Sequence, residues 1–248
     1  MAITAADVKA LRDKTGAGMM ECKKALTECN GDIAEAEKLL KEKGLAAVAK
    51  RSERATSEGR LFVRQVGNKI ALVEVTCETD FVANNSDFVA AGEKMLDVTF
   101  EKGYTKVEAE HEAILEPLKV SIRENMKIAK VEVVEIPADA VGAFYVHSDK
   151  KTGAIVVVKG STADVVKTFA YDCCLHIAAF TPAYISKKDV PDTYVAEQKE
   201  IFKAQMDQDE KMAGKPENVK EGILMGKINK HLAEICFEDQ MFVQDDKK

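Results

Sequence analysis

No long run of lysine or arginine occurs in this chain of 248 residues, and its formal net charge is -6. A surface that grips nucleic-acid phosphates needs concentrated positive charge, so direct nucleic-acid binding is excluded as the first expectation and a protein partner takes its place. The six cysteines (Cys22, Cys29, Cys77, Cys173, Cys174 and Cys236) form no Cys-x-x-Cys pair and no pattern of a short secreted scaffold. Cys173 and Cys174 lie inside a helical pattern and point to different sides, which reads as reduced, packed thiols. No apolar run is long enough to span a bilayer, and MAITAADVKAL has neither a signal-type apolar core nor an arginine-rich transit pattern. A cytoplasmic protein with no membrane contact is expected. His111, His147, His176 and His231 are isolated in sequence, and His231 with Cys236 is only a weak approach to metal-ligand spacing. No nucleophile with its base and no paired acids stand out, so neither enzymatic activity, metal nor cofactor is expected.

What is present reads as an α+β chain of several units, with 46% hydrophobic residues to build their cores. Thr4 and Asp7 have the spacing of a capping box. Val8 and Leu11 give the first helix its apolar stripe, and Thr15-Gly16 stops it. A second helix is predicted from Met19 to Cys29, broken by Asn30-Gly31, and a third from Asp32 to Lys43, ended by Gly44. Together they predict a three-helix bundle over residues 1–54. The glycines of Thr15-Gly16-Ala17-Gly18-Met19-Met20 do not make a dinucleotide loop, because no third glycine follows and a helix precedes where a strand is required. Met19 and Met20 suit either the bundle core or an adaptable protein contact.

Residues 45–58 have linker character, and two core units follow, over 55–139 and 140–248. The first opens with a hairpin, RLFVRQ and IALVEV around the turn GNK, and a helix ending near Gly103. A helix from Val107 to Met126, interrupted at Pro117, and a strand from Lys127 to Ile136 complete it. The second repeats the layout with AFYVHS, DKKTG and AIVVV, then a helix from Ser161 to Phe180 whose apolar side carries Val165, Val166, Phe169, Cys173, Ile177 and Phe180. His176 reads as a packing residue. Val195, Phe202, Met206 and Ala213, with Tyr194, Ile201 and Met212 alongside, predict a coiled-coil seam. After Gly214-Lys215-Pro216 a return helix bears Val219, Ile223, Leu224, Ile228, Leu232 and Ile235, closing an antiparallel helical hairpin at about 192–235. Self-association through this hairpin is left open.

The duplication isolates one anomaly. In the second copy only Lys159-Gly160 separate strand from helix cap, whereas the first inserts Glu78-Thr79-Asp80-Phe81-Val82 before a cap at Asn85 or Ser86. Extra residues on a loop carried by a rigid scaffold are where function concentrates. Two readings of Phe81 compete: a ring tucked under its own loop as a satellite of the core, or a ring held outward for a partner.

The segment ETDFVANN, with LRDKTGAGMMECKKAL near the N-terminus, resembles the elongation factor Ts family, nucleotide-exchange factors of the translational GTPase elongation factor Tu. HIAAFTPAYIS and GKINKHLAEICFEDQMFV extend the likeness over nearly the whole chain. The resemblance implies that the bundle is of the ubiquitin-associated type and docks on the GTPase through Leu11, Met19 and Met20. It implies that Asp80 and Phe81, supported by Val82 and Ala83, enter beside the GTPase's magnesium site, and that His147 meets another part of that partner. Longer members continue into a final strand and a helix that also meets the GTPase, whereas this chain stops at VQDDKK. Two other classes stay in view: a binding or chaperone module for which the bundle alone suffices, and a thiol enzyme using Cys77. Against the latter, Glu78 and Asp80 are expected to raise the thiol's pKa.

Overall fold

The structure is a computed structural model that describes residues 3–212 and 214–244. It is an α+β chain: three helices, α1 (Ala5–Thr15), α2 (Met19–Glu28) and α3 (Ile33–Arg51), precede two sheet units and a helical hairpin. The capping box forms as expected, Thr4 Oγ1 accepting from the Asp7 N–H and Asp7 accepting from the Thr4 N–H. The helices close around Val8, Leu11, Cys22, Leu26, Ala36 and Leu40.

α3 does not stop at Gly44 but runs on to Arg51. Gly44 is there for close approach: a Cβ at this position would lie 2.8 Å from Val120 Cγ1, on the helix against which α3 packs. Arg51 strengthens the junction by donating to the Lys119 carbonyl at 3.0 Å.

β1 (Glu58–Val66), β2 (Lys69–Cys77) and β3 (Met126–Glu135) form an antiparallel sheet in the order β1-β2-β3. The one-turn helix α4 (Asp80–Ala83) follows β2, then α5 (Ser86–Lys102) and α6 (Ala109–Ile122). Alternation along β2 sends Ala71, Val73, Val75 and Cys77 to the helix side, where they meet Phe62, Phe88, Met95, Leu96, Leu115 and Met126. Gly92 on α5 makes room for the Phe62 ring, since a Cβ there would fall 2.1 Å from its Cζ.

α6 is shorter than its expected span of Val107 to Met126. It accommodates Pro117 internally and ends when Arg123 takes a left-handed conformation (φ 68), so Met126 opens β3 instead. Inside it His111 is fully buried; its Nδ1 accepts from the Glu108 N–H at 3.0 Å and its Nε2 lies 3.0 Å from Thr99 Oγ1. Thr99 Oγ1 donates to the Met95 carbonyl, so it accepts from Nε2–H and the ring is neutral. Burial pushes the imidazole pKa below its ordinary value.

β4 (Ala140–Val146) and β5 (Gly153–Lys159) form the second hairpin, backed by α7 (Asp164–Phe180). Its other face meets the first sheet through Ile70, Ile136, Ala140, Phe144 and Ile155. α7 begins three residues after the expected Ser161 because the Ser161 hydroxyl accepts from the Ala163 N–H, capping a turn before the helix. The expected apolar side of α7 is only partly kept: Cys173 is buried as expected, but Val165, Phe169 and Phe180 are exposed, while Ala170, Cys174 and His176 are buried beside Cys173. His176 packs as expected, with Nε2 2.9 Å from Gln240 Oε1 and Nδ1 accepting from the Val243 N–H.

α8 (Asp192–Asp207) and α9 (Glu217–Ile235) make the hairpin, Tyr194 at the start of one bonding His231 near the end of the other at 2.9 Å. Tyr194, Val195, Phe202 and Met206 meet Ile223, Leu224, Ile228 and Leu232. Met212, in a separate 3-10 turn, still packs against this cluster; Ile201 and Val219 face solvent, and Ala213 lies outside the described residues. Among the described residues no helix is long and apolar enough to cross a membrane.

Two stability predictions follow from this packing. Gly92→Ala gains helix propensity but forces Phe62 off its seat, so its denaturation midpoint should correspond to a loss of about 1–3 kcal/mol. Because the His111 pKa is depressed on folding, the folded chain binds fewer protons than the unfolded one as pH drops below about 6.5. Stability should therefore be full well above that value and fall as pH drops through it toward the lower folded-state pKa, and His111→Gln should flatten that part of the profile in denaturant titrations.

Candidate functional site

Eight residues, 78–85, join β2 to α5, against four, 160–163, between β5 and α7. The excess is the turn α4 itself. Thr79 is its N-cap, its Oγ1 accepting from the Val82 N–H at 3.4 Å, and Asn85 caps the next helix by accepting from the Asp87 and Phe88 N–H groups. Within this single turn Val82 and Ala83 are buried in the core beneath β2 and α5, so Asp80 and Phe81 are driven outward. Phe81 is 85% exposed, which overturns the reading of a ring tucked under its own loop.

The base of the turn is held by charge-assisted hydrogen bonds. Glu124 Oε2 accepts from the N–H groups of Glu78 (3.1 Å) and Thr79 (3.0 Å), and its Oε1 accepts from Thr79 Oγ1 at 2.7 Å. In return Glu78 Oε1 accepts from the Asn125 N–H at 2.6 Å and from Arg54 at 3.4 Å. Asn125 Nδ2 donates to the carbonyls of Ser52 (3.2 Å) and Arg54 (2.6 Å), in the segment that follows α3. A bulge in β3 between the pairs Glu74↔Lys130 and Val75↔Ile128 re-aims the strand ends just before this point.

The other candidate residues are placed as follows. Met19 and Met20 are exposed at the start of α2, where Gly16 in the left-handed region (φ 64) turns the chain; Glu21 of the same helix bonds Arg123, next to Glu124. Leu11 is fully buried among the three helices and has no surface to offer a partner, so its place among the expected contacts is corrected to one behind them. Val82 and Ala83 are likewise buried. His147 is exposed at the turn after β4; its N–H donates to the Thr152 carbonyl at 2.8 Å and its Nδ1 lies 2.9 Å from the Tyr145 hydroxyl. That turn is tied to β1 by the Leu61 N–H on the Lys150 carbonyl and by Lys151 on Glu58, whose strand partner is Cys77. Glu58 chiefly, with Asp149 and Asp80, raises the Lys151 pKa. His147 and Asp80 therefore occupy the same end of the paired sheets.

The sequence reading missed Glu124 and Asn125. Their only local signal is a charged, polar break between an apolar helix and a strand, while their partners lie 45–47 and 71–73 residues away.

The thiol reading fails on geometry. Cys77 is buried, donates to the Thr79 carbonyl at 3.2 Å, and has its pKa pushed up to about 11. The main cause is burial, followed by the Glu124 charge, and not the expected neighbours Glu78 and Asp80. Among the described residues no group of three or more histidine, cysteine, aspartate or glutamate side chains is placed to hold a metal ion.

The sequence profile of the family described as Elongation factor TS matches residues 78–248. An Elongation factor Ts of Treponema denticola is 54% identical over 252 residues, covering 100% of this chain and 89% of that protein. Its counterpart in Treponema pallidum is 46% identical over 263 residues with the same coverage, and that of Borrelia duttonii 43% over 255 residues, 90% of its length.

The thiol geometry makes a direct prediction. Iodoacetamide at pH 8 should leave Cys77 unmodified in the folded protein and label the partly exposed Cys29 first, all six cysteines reacting only after denaturation; peptide mass mapping reads the order.

Proposed function

This chain belongs to the elongation factor Ts family, and we propose that it acts in translation elongation by binding elongation factor Tu and driving GDP from it, as a cytoplasmic protein without catalytic chemistry of its own. The observation that carries the reading is an exposed phenylalanine beside an exposed aspartate on a turn clamped from below.

A GTPase of this kind holds GDP through a phosphate loop and a magnesium ion that neutralises phosphate oxygens. A second protein speeds release only if it binds the nucleotide-free form more tightly than the loaded form, and linkage then requires GDP to weaken the second protein equally. The exchange factor is a competing ligand.

In this mechanism Phe81 enters between two helices of the partner. Burying its ring yields roughly 1.5–3 kcal/mol, and the displaced helix carries a magnesium-linked group out of position. Asp80 brings a carboxylate toward the ion and its waters. Val82 and Ala83 keep the turn from yielding, because both are packed into the core. Met19 and Met20 supply an adaptable contact on the GTP-binding domain, and His147 touches a separate part of the partner from the same end of the sheets. Anchoring by the bundle makes entry of the turn an intramolecular event with a high effective concentration.

The bundle is fastened to the core by the Gly44–Val120 contact, by Arg51 on the Lys119 carbonyl and by Glu21 on Arg123. This favours the exchange reading over that of a self-sufficient binding module, for which the remainder of the chain would be dispensable.

Release of fluorescent GDP from elongation factor Tu, measured with the wild type and with Phe81→Ala, tests the proposal. The wild type should accelerate release, and the variant should lose about 2 kcal/mol of that effect, close to thirtyfold in rate, while still binding. No acceleration by the wild type would defeat the reading.

A further inference from the structure

We propose that Glu124 and Asn125 form a positioning hub that couples the segment after α3 to the exchange turn, so that Phe81 is held at its working angle only while that segment is seated. The inference rests on the exchange reading above.

The backbone ladder of β2 and β3 ends at the pair Cys77↔Met126, leaving the N–H groups of Glu78 and Thr79 without strand partners. Glu124 accepts from both, and it also receives the Thr79 hydroxyl proton. That last bond sets the direction of α4. With its proton committed to Glu124, Thr79 Oγ1 can only turn a lone pair to the Val82 N–H, which is the capping bond of the turn. The burial of Val82 and Ala83 sends the Phe81 ring outward, and a chain that runs Glu124, Thr79, Val82 sets the angle at which it is held.

Asn125 joins this chain to the N-terminal unit. Its N–H holds Glu78 and its side-chain amide holds two carbonyls, Ser52 and Arg54, while the Arg54 guanidinium returns to Glu78. Arg54, Glu78 and Asn125 therefore close a ring across the base of the turn. If the segment at 52–54 shifts, Asn125 loses two acceptors and Glu78 its cation together, and the strand end that carries α4 is released. Neither Glu124 nor Asn125 is itself a contact in the proposed mechanism; both act through Thr79 and α4.

A role confined to fold stability would lower the melting temperature and leave the maximal release rate unchanged in the folded protein. A positioning role changes that rate. The test measures release of fluorescent GDP from elongation factor Tu at saturating full-length protein, well below melting, for the wild type, Phe81→Ala, Glu124→Ala, Glu124→Gln and Asn125→Ala. Backbone amide exchange at residues 80–84 and melting temperatures are recorded in parallel. Glu124→Ala should slow maximal release roughly tenfold and Asn125→Ala about threefold, both with faster amide exchange at 80–84. Glu124→Gln, which keeps one acceptor oxygen, should fall between wild type and Glu124→Ala, and with Asn125→Ala it carries the test if Glu124→Ala does not fold. A slowed Phe81→Ala beside Glu124 and Asn125 variants at the wild-type rate would overturn the hub and spare the exchange reading. If the wild type does not accelerate release, the exchange reading fails; if it does and Phe81→Ala matches it, the role given to Phe81 fails and the hub with it. Unchanged protection at 80–84 in Asn125→Ala also overturns the hub.

Discussion

A strand that ends inside a folded protein leaves backbone donors that must be satisfied, and here a single carboxylate from another element does so. Glu124 accepts from two consecutive N–H groups and one hydroxyl at the end of β2. Bonds of this charge-assisted kind are worth about 1.5–3 kcal/mol each in mutational series, although they share one acceptor group and do not add independently. Without them the four-residue turn α4 keeps its own backbone bonds, Ala83 N–H to the Thr79 carbonyl and Asn84 N–H to the Asp80 carbonyl, with one capping bond and two buried side chains. The N-terminal helices reach the same point through Arg54 and Asn125, and the β4–β5 turn reaches it through Glu58.

Two copies of one hairpin-helix unit show how little separates scaffold from site. Both copies pack an antiparallel hairpin against a long helix, and the first sheet gains β3 as a third strand. In the second copy the connection is a plain turn capped by Ser161; in the first it carries α4. Val82 and Ala83 join the core of the first unit and so convert what would be a loose insertion into a rigid projection. An aromatic ring exposed on a rigid turn loses little conformational freedom on binding, which favours recognition.

The polar surface contributes little of this kind. The exposed ion pairs, such as Arg64 with Glu93 and Asp97, are each worth at most about 1 kcal/mol. The buried thiols of Cys77 and Cys174, with pKa values pushed up to about 11, are inert at neutral pH. The proposed function therefore rests on shape and placement.

Local chemistry alone determined a good part of the architecture. Alternation marked the strands, the Thr4 and Asp7 spacing marked the first cap, Asn85 or Ser86 marked the start of α5, and comparison of the duplicated units drew attention to residues 78–82. The errors arose where a residue's meaning depended on something distant in sequence. Gly44 reads as a stop until Val120 is seen beside it, and Val165 and Phe169 read as core until the sheet selects another face of α7. Phe81 was left between two fates, and only the burial of Val82 and Ala83 decided that its ring points out. Glu124 and Asn125 had no local signature at all, because their partners are set by the meeting of strand ends and linker, which only the tertiary structure brings together.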